Sequence, residues 1–279
     1  MSSSLSVDSS DWVIPPEDLS LSEGEVHIWK FLLNQSDTLS HNLFRYLAAD
    51  ERVRSDQFRY PELRERYISG RGLLRLITGR YLNKHPRSLA FTYGSNGKPM
   101  LEGEISQTLS FNQSHSHYLI TFAFICYGPV GIDVEYLHTV PRVERLAQRF
   151  YSQGEYEHIR SLEPEKQESA FLRAWTRKEA YLKATGDGLI FPLSQVEVSL
   201  GENDVPRLLK VPGGQESTWC LEAFQPEPGY IGAVVYPAPE KKMRYFNITT
   251  NSAWFHAWSN SYSLVNDLLD TGERERIDY

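Results

Sequence analysis

Three carboxylates and a lysine, in two short segments of a 279-residue chain, have the spacing of a chemical site. In "GIDVEY" (131–136), Asp133 and Glu135 are two residues apart. In a strand they share one face, while Ile132 and Val134 take the other. In "FLRAWTRKEAYLKATGDGL" (171–189), Trp175, Glu179 and Lys183 recur every four residues, with Lys178 beside Glu179. That period places the three on one face of a helix, which Gly186 is suited to end. Two carboxylates as close as Asp133 and Glu135 repel each other unless a proton or cation intervenes. A third carboxylate, Glu179, from a helix lying across the strand would complete a set of hard oxygen ligands. Mg²⁺ prefers such ligands, with positions left for water and substrate phosphate. The plainer alternatives are two solvated acids on an exposed strand and a Glu179–Lys183 surface pair worth ~0.3–0.5 kcal/mol.

Other segments offer groups for an anion. "FNQSHSH" (111–117) places Ser114 and His115 at a strand end, where a hydroxyl and a ring nitrogen can hold a phosphate or a purine edge. Lys98 follows the turn "GSNGKP". Taken singly, each reads equally well as a polar loop residue. Between Arg45 and Arg80 nine arginines face five acids, a local excess of +4 on a chain whose net charge is −7, so the remainder carries −11. Phosphate-backbone affinity needs accumulated Lys and Arg, so the overall charge argues against nucleic acid, and the compact basic patch suggests one anionic ligand. Some of these arginines are expected to be spent on neighbouring Asp50, Glu51, Asp56, Glu62 and Glu65.

The elements that must position these groups are legible in the same way. The chain is 41% hydrophobic and 13% aromatic, enough for a full core. "VHIWKFLL" from Glu25 reads as a strand, 37–56 as helical, and 64–83 as a strong helix. "SLAFTYG", "LSFNQSH" and "HYLITFAFI" read as strands of a first half, and "GIDVEY", "QVEVSL", "WCLEAF" and "YIGAVVY" as strands of a second, with Asn, Gly and Pro in the turns. "GRGLLRLITG" (70–79) aligns with "RKEAYLKATG" (177–186), which hints at a duplicated α/β unit with a seam near Pro129. The expectation is an α+β pseudo-dimer of two similar α/β subdomains, each a long helix packed on a small antiparallel sheet, with the ligand in the cleft between them. Its divisions are an ill-ordered Ser-, Asp- and Pro-rich segment 1–24, subdomains 25–129 and 130–239, and an extension 240–279 with a helix near 254–269. Two cysteines, Cys126 and Cys220, fit a reducing compartment. The N-terminus lacks a basic start and an apolar run, and the longest apolar stretch, 118–127, is half a membrane span, so a cytoplasmic location without membrane association is expected.

Together, "YGSNGKP" (93–99), "FNQSHS" (111–116), "GIDVE" (131–135), "RFYSQGEY" (149–156) and "WTRKEAYLK" (175–183) resemble the 4'-phosphopantetheinyl transferases of the surfactin-synthetase-activating type. The resemblance covers about residues 40–235. It implies that Asp133, Glu135 and Glu179 hold Mg²⁺, or Mn²⁺ in its place, on the diphosphate of coenzyme A. It further implies that Glu179 helps deprotonate the attacking serine, directly or through a metal-bound water. Lys183 would neutralise the diphosphate, with Lys178 close by. Ser114 and His115 would contact the adenosine and 3'-phosphate, Lys98 the adenine, and Arg54 and Arg66 the 3'-phosphate. Glu155 matches a family acid of lesser role. The chain departs from the pattern at Glu51, where a lysine is common, at Gln113, and over its last forty residues.

The expected activity is transfer of 4'-phosphopantetheine from coenzyme A to a serine of an apo acyl or peptidyl carrier protein, releasing adenosine 3',5'-bisphosphate. A monomer would suffice, since the duplication supplies both halves. The alternatives are another Mg²⁺-dependent nucleotide-diphosphate transferase or hydrolase, and a non-catalytic coenzyme A-binding module, which should have lost one of the three acids.

Overall fold

The computed structural model describes residues 11–33, 37–94, 97–188, 191–249 and Phe255. In chain order the elements are β1 (Trp12–Val13), β2 (Glu25–Leu32), α1 (Asp37–Phe44), α2 (Ala49–Asp56), α3 (Pro61–Leu82), β3 (Phe91–Tyr93) and β4 (Pro99–Leu101). There follow β5 (Leu109–Ser116), β6 (Leu119–Cys126), β7 (Gly131–Tyr136), α4 (Val143–Phe150), α5 (Gln153–Ser161) and α6 (Pro164–Thr185). The chain continues with β8 (Glu197–Val198), β9 (Leu208–Lys210), β10 (Trp219–Phe224), β11 (Tyr230–Pro237) and β12 (Lys242–Ile248). The fold is mixed α+β. A five-stranded sheet has the order β1-β12-β2-β6-β5, a three-stranded sheet the order β10-β11-β7, and β3-β4 and β8-β9 form two-stranded ribbons.

The described residues divide into two compact units. The larger draws on 11–13, 21–31 and 91–246, the smaller on 14–20, 32–90 and the residues from 247 on. The smaller contains α1 to α3. Pro61, whose missing N–H costs nothing at a helix start, opens α3, and Asn83 in the left-handed region (φ 49°) closes it with its N–H on Arg80 O and Gly79 O. The helix expected over 37–56 is interrupted at 45–48, because the Glu51 carboxylate folds back to accept the Ala48 N–H at 3.0 Å and starts α2 afresh.

In the larger unit α6 repeats the 22-residue length of α3, opens on Pro164 and ends on Gly186 (φ 84°). It packs on β7 and β11 of the three-stranded antiparallel sheet. Strand β6, apolar along almost its whole length, is buried throughout its first seven residues beside β5, from Leu109↔Cys126 to Ser116↔Leu119. Ile132 of β7 joins Val26, Ile28, Ile125 and Val234 in one core, so strand alternation sends Asp133 and Glu135 to the opposite face. The start of the expected C-terminal extension is strand β12, which pairs in parallel with β1 through Trp12↔Tyr245 and Val13↔Phe246. Apart from Phe255, the helix expected over 254–269 lies outside the described residues.

Strands β5 and β7 are the edges of their two sheets, and they meet through side chains. Asn112 Oδ1 accepts the Ile132 N–H at 2.9 Å, Ser114 Oγ the Val134 N–H at 3.4 Å, and Ser116 Oγ the Tyr136 N–H at 3.1 Å. The constant offset of twenty residues makes this a ladder in which every second side chain of β5 satisfies every second amide of β7. An exposed sheet edge is thereby sealed without backbone pairing. The seam joins the first and second halves of the sequence and sets the register of the carboxylates above it.

Candidate active site

The site is assembled on β5, β7 and α6 within the larger unit. Its position depends on Gly131. A Cβ there would sit 2.0 Å from Ala180 O and 2.3 Å from Ala184 N, so only glycine lets the backbone of α6 lie directly on β7. This contact brings the last turns of α6 over Asp133.

Asp133 is 4% exposed. Its Oδ1 accepts hydrogen bonds from Ser114 Oγ at 2.8 Å and from Lys183 Nζ at 2.7 Å, while its buried Oδ2 has no partner among the described residues. Lys183 also donates to Ser114 Oγ at 3.0 Å and to Ile132 O at 3.2 Å. Glu135, half-buried, accepts from Ser116 Oγ at 2.8 Å. Burial, and then the Asp133 charge, raise its carboxyl above the usual range; Ser116 and Lys183 partly offset them. Glu179 is buried, and its Oε1 has no hydrogen-bond partner among the described residues. Burial, reinforced by Asp133 and opposed by Lys183, pushes this carboxyl up to about 7.

Two buried, unpartnered carboxylate oxygens whose charges act on each other are costly unless a proton or cation compensates them. Among the described residues no three His, Cys, Asp or Glu side chains are grouped closely enough to hold a metal ion as they stand. The donors are nevertheless all hard oxygens, and Asp133 Oδ2 and Glu179 Oε1 are free to ligate. The set therefore suits a small oxophilic dication that keeps waters or phosphate oxygens in its other positions, rather than zinc.

The other expected site residues are distributed unequally. Ser114 is buried and spent on Asp133, Val134 and Lys183. His115 is exposed on β5. Lys98 donates to Val130 O at 3.1 Å and to the carbonyl of Lys183, and burial, then the Lys183 charge, lower its ammonium to about 8. Lys178, expected near the diphosphate, is not brought to the carboxylates. Its ammonium is fully buried, 2.5 Å from Glu155 Oε2, 3.0 Å from Leu193 O and 4.5 Å from the centre of the Tyr151 ring. Glu155 is its fixed counter-charge and also holds the Ser152 and Val198 amides.

Arg54 and Arg66 belong to the smaller unit. Arg54 is exposed and lies over the Tyr67 ring at 5.9 Å, and neither arginine pairs with an acid among the described residues. Other members of the basic cluster are spent internally: Arg75 on Glu51 at 2.5 Å and Arg64 on Asp56 at 2.9 Å. The unusual Glu51 thus serves as the buried anchor of two arginines, Arg71 and Arg75. Sequence reasoning missed Asn112, Ser116 and Gly131. The period-two polar run 112, 114, 116 in "FNQSHS" was the available signal.

Residues 129–235 match the model of the 4'-phosphopantetheinyl transferase superfamily. The 4'-phosphopantetheinyl transferase HetI of Nostoc sp. (strain PCC 7120) is 40% identical over 224 residues, 80% of this chain and 92% of its own. The 4'-phosphopantetheinyl transferase psf-1 of Bacillus pumilus is 30% identical over 70% of this chain and 80% of its own, and Sfp of Bacillus subtilis (strain 168) 27% identical over 70% and 84%. The chain belongs to the 4'-phosphopantetheinyl transferase family. It is an enzyme that transfers the 4'-phosphopantetheine arm of coenzyme A to a carrier protein.

Proposed function

We propose that Asp133, Glu135 and Glu179 hold Mg²⁺, or Mn²⁺ in its place, at the diphosphate of coenzyme A, and that Glu179 takes the proton of the attacking serine. The observation that carries this reading is the pair of buried, unpartnered oxygens, Asp133 Oδ2 and Glu179 Oε1, beside the Lys183 ammonium. When bound, the cation supplies positive charge to the phosphate oxygens as they gain charge in the transition state. Lys183 adds a second positive charge on the diphosphate. The serine Oγ–P bond forms as the bond from that phosphorus to the bridging oxygen breaks, the serine proton passes to Glu179, and adenosine 3',5'-bisphosphate departs. In the metal-free protein, burial raises the Glu179 carboxyl to about 7, so the site favours a proton or a cation on this group.

His115, Arg54 and Arg66 are assigned to the 3'-phosphate and adenosine, and Lys98 to the adenine side. Supporting this, neither Arg54 nor Arg66 is held by an acid among the described residues of its own unit, whereas Arg64, Arg71 and Arg75 are. Coenzyme A should accordingly bind more tightly than dephospho-coenzyme A, and Arg54→Ala should narrow that gap. The reading includes a monomer acting in the cytoplasm on an acyl or peptidyl carrier. Among the described residues no helix is long and apolar enough to cross a membrane.

The test is intact-mass measurement of apo carrier proteins incubated with the full chain, coenzyme A and Mg²⁺. The expected result is a gain of one phosphopantetheine, reduced ~10² to 10⁴-fold in rate for Glu179→Gln at saturating Mg²⁺. A Glu179→Gln protein that works at the wild-type rate removes Glu179 from the reaction.

A further inference from the structure

Resting on that reading, we propose that Lys183 is a resident counter-ion of the carboxylate site that must leave Asp133 before a divalent cation can bind, and that the arriving diphosphate draws it away. The metal site and the phosphate site would then share one lysine, which couples the two ligands.

Asp133 Oδ1 is saturated by Lys183 Nζ at 2.7 Å and Ser114 Oγ at 2.8 Å. A dication on Asp133 would stand within a few ångströms of that ammonium, in a buried setting where like charges are weakly screened. The carboxylates thus have a cation already, of the wrong valence and built into the chain. The Lys183 backbone cannot be the moving part. Its carbonyl accepts from Lys98 Nζ, and α6 is seated on Gly131. The side chain can move: it is 27% exposed, against 6% for the Asp133 side chain alone, and carries its charge on four flexible carbons. A diphosphate beside the site offers that ammonium a stronger anion than one carboxylate oxygen. The displaced lysine leaves Asp133 Oδ1 and Oδ2 with Glu179 Oε1 as open ligands. Ser114, which bonds both Asp133 and Lys183, keeps Asp133 in place during the exchange.

The test uses the full-length protein and reads binding alone. Mn²⁺ affinity is measured without coenzyme A from the electron paramagnetic resonance signal of the free ion. Coenzyme A affinity is measured calorimetrically in EDTA. Lys183→Met removes the charge at similar length, and Lys183→Gln does so while keeping hydrogen-bond donors, should the first variant fold poorly. The expectation is changes of opposite sign: Mn²⁺ bound about tenfold more tightly, or better, and coenzyme A about tenfold more weakly. Adding Asp133→Asn to either variant should abolish the gain in Mn²⁺ affinity. Mn²⁺ affinity that is unchanged or lower in the variants overturns the proposal, as does a gain that survives Asp133→Asn. Unchanged coenzyme A affinity overturns the handover to the diphosphate. None of these outcomes bears on the carrier-modification assay of the wild-type protein, so the transferase reading stands or falls separately.

Discussion

Ser114 Oγ donates to Asp133 Oδ1 at 2.8 Å, across a seam where two sheet edges meet without a single backbone pair between them. The same hydroxyl accepts from Lys183 Nζ and from the Val134 amide. One small side chain thus fixes a β5–β7 register, an acid and its counter-charge, and this explains why the polar alternation of β5 lies opposite the acidic alternation of β7.

The three rungs of that ladder differ in burial, and their loss should differ in order. Asn112→Ala leaves the buried Ile132 amide unpaired, at a cost of ~1–3 kcal/mol. Ser116→Ala frees an amide near the exposed end of β7 and should cost less in stability, while raising the Glu135 carboxyl further by removing its hydrogen bond. Urea unfolding of the two variants gives the order directly; a larger loss for Ser116→Ala would mean that the ladder does not carry the seam.

Gly131→Ala tests the helix–strand contact. The added methyl would lie 2.0 Å from Ala180 O and 2.9 Å from the Lys183 carbonyl carbon, all of it backbone that no rotamer change can clear. Overpacking commonly costs ~1–3 kcal/mol, and more where backbone must shift. The variant should lose stability and also bind coenzyme A poorly, since α6 carries both Glu179 and Lys183. An alanine variant with wild-type melting and binding would show that α6 can move away from β7 freely.

How much of this was legible in the sequence depended on whether the cause was local. The shared face of Asp133 and Glu135 follows from a period of two, and the end of α6 from Gly186, so these were readable; the starts of α3 and α6 at Pro61 and Pro164 lie three and seven residues before the helical stretches that the sequence reading picked out. The break between α1 and α2 was not, because a run of helix-formers gives no sign that the Glu51 side chain will cap Ala48. Lys178 shows the limit most clearly. Its place beside Glu179 suggests a shared task, yet neighbours on a helix point about 100° apart, and Lys178 turns into the core to meet an acid 23 residues upstream. Strand β12 was hidden because its neighbours in the sheet, β1 and β2, lie at the other end of the chain.

The Lys178–Glu155 pair yields a prediction of its own. Lys178→Met leaves Glu155 buried without its cation, a change of ~3–5 kcal/mol in comparable pairs, whereas removing both charges costs far less. Glu155→Gln combined with Lys178→Met should therefore recover stability relative to Lys178→Met alone. Glu155 also holds the Ser152 and Val198 amides, which Gln can still do through its carbonyl oxygen for one of them. A double variant less stable than the single would show that these amides, rather than charge compensation, set the cost.

The last prediction concerns pH. In the metal-free protein the Glu179 carboxyl is raised from 4.5 to about 7, chiefly by burial. Between those values the folded state holds a proton that the unfolded state has released, so stability falls as pH rises through this window. The full effect is at most about 3 kcal/mol, complete above about pH 7. His27 acts in the opposite sense. Burial lowers it from 6.5 to about 4, so the unfolded chain binds the extra proton and stability rises with pH over that range. A bare stability–pH curve mixes the two. The difference between Glu179→Gln and wild type cancels His27 and isolates Glu179. Without added metal, Glu179→Gln should match wild type near pH 4.5 and gain on it steadily up to about pH 7, then hold a constant lead. Mg²⁺ with coenzyme A should shrink that lead by compensating the Glu179 charge in the wild type alone. A stability difference flat from pH 4.5 to 8 would mean that Glu179 ionises without penalty, and that the burial seen around it does not set its proton affinity.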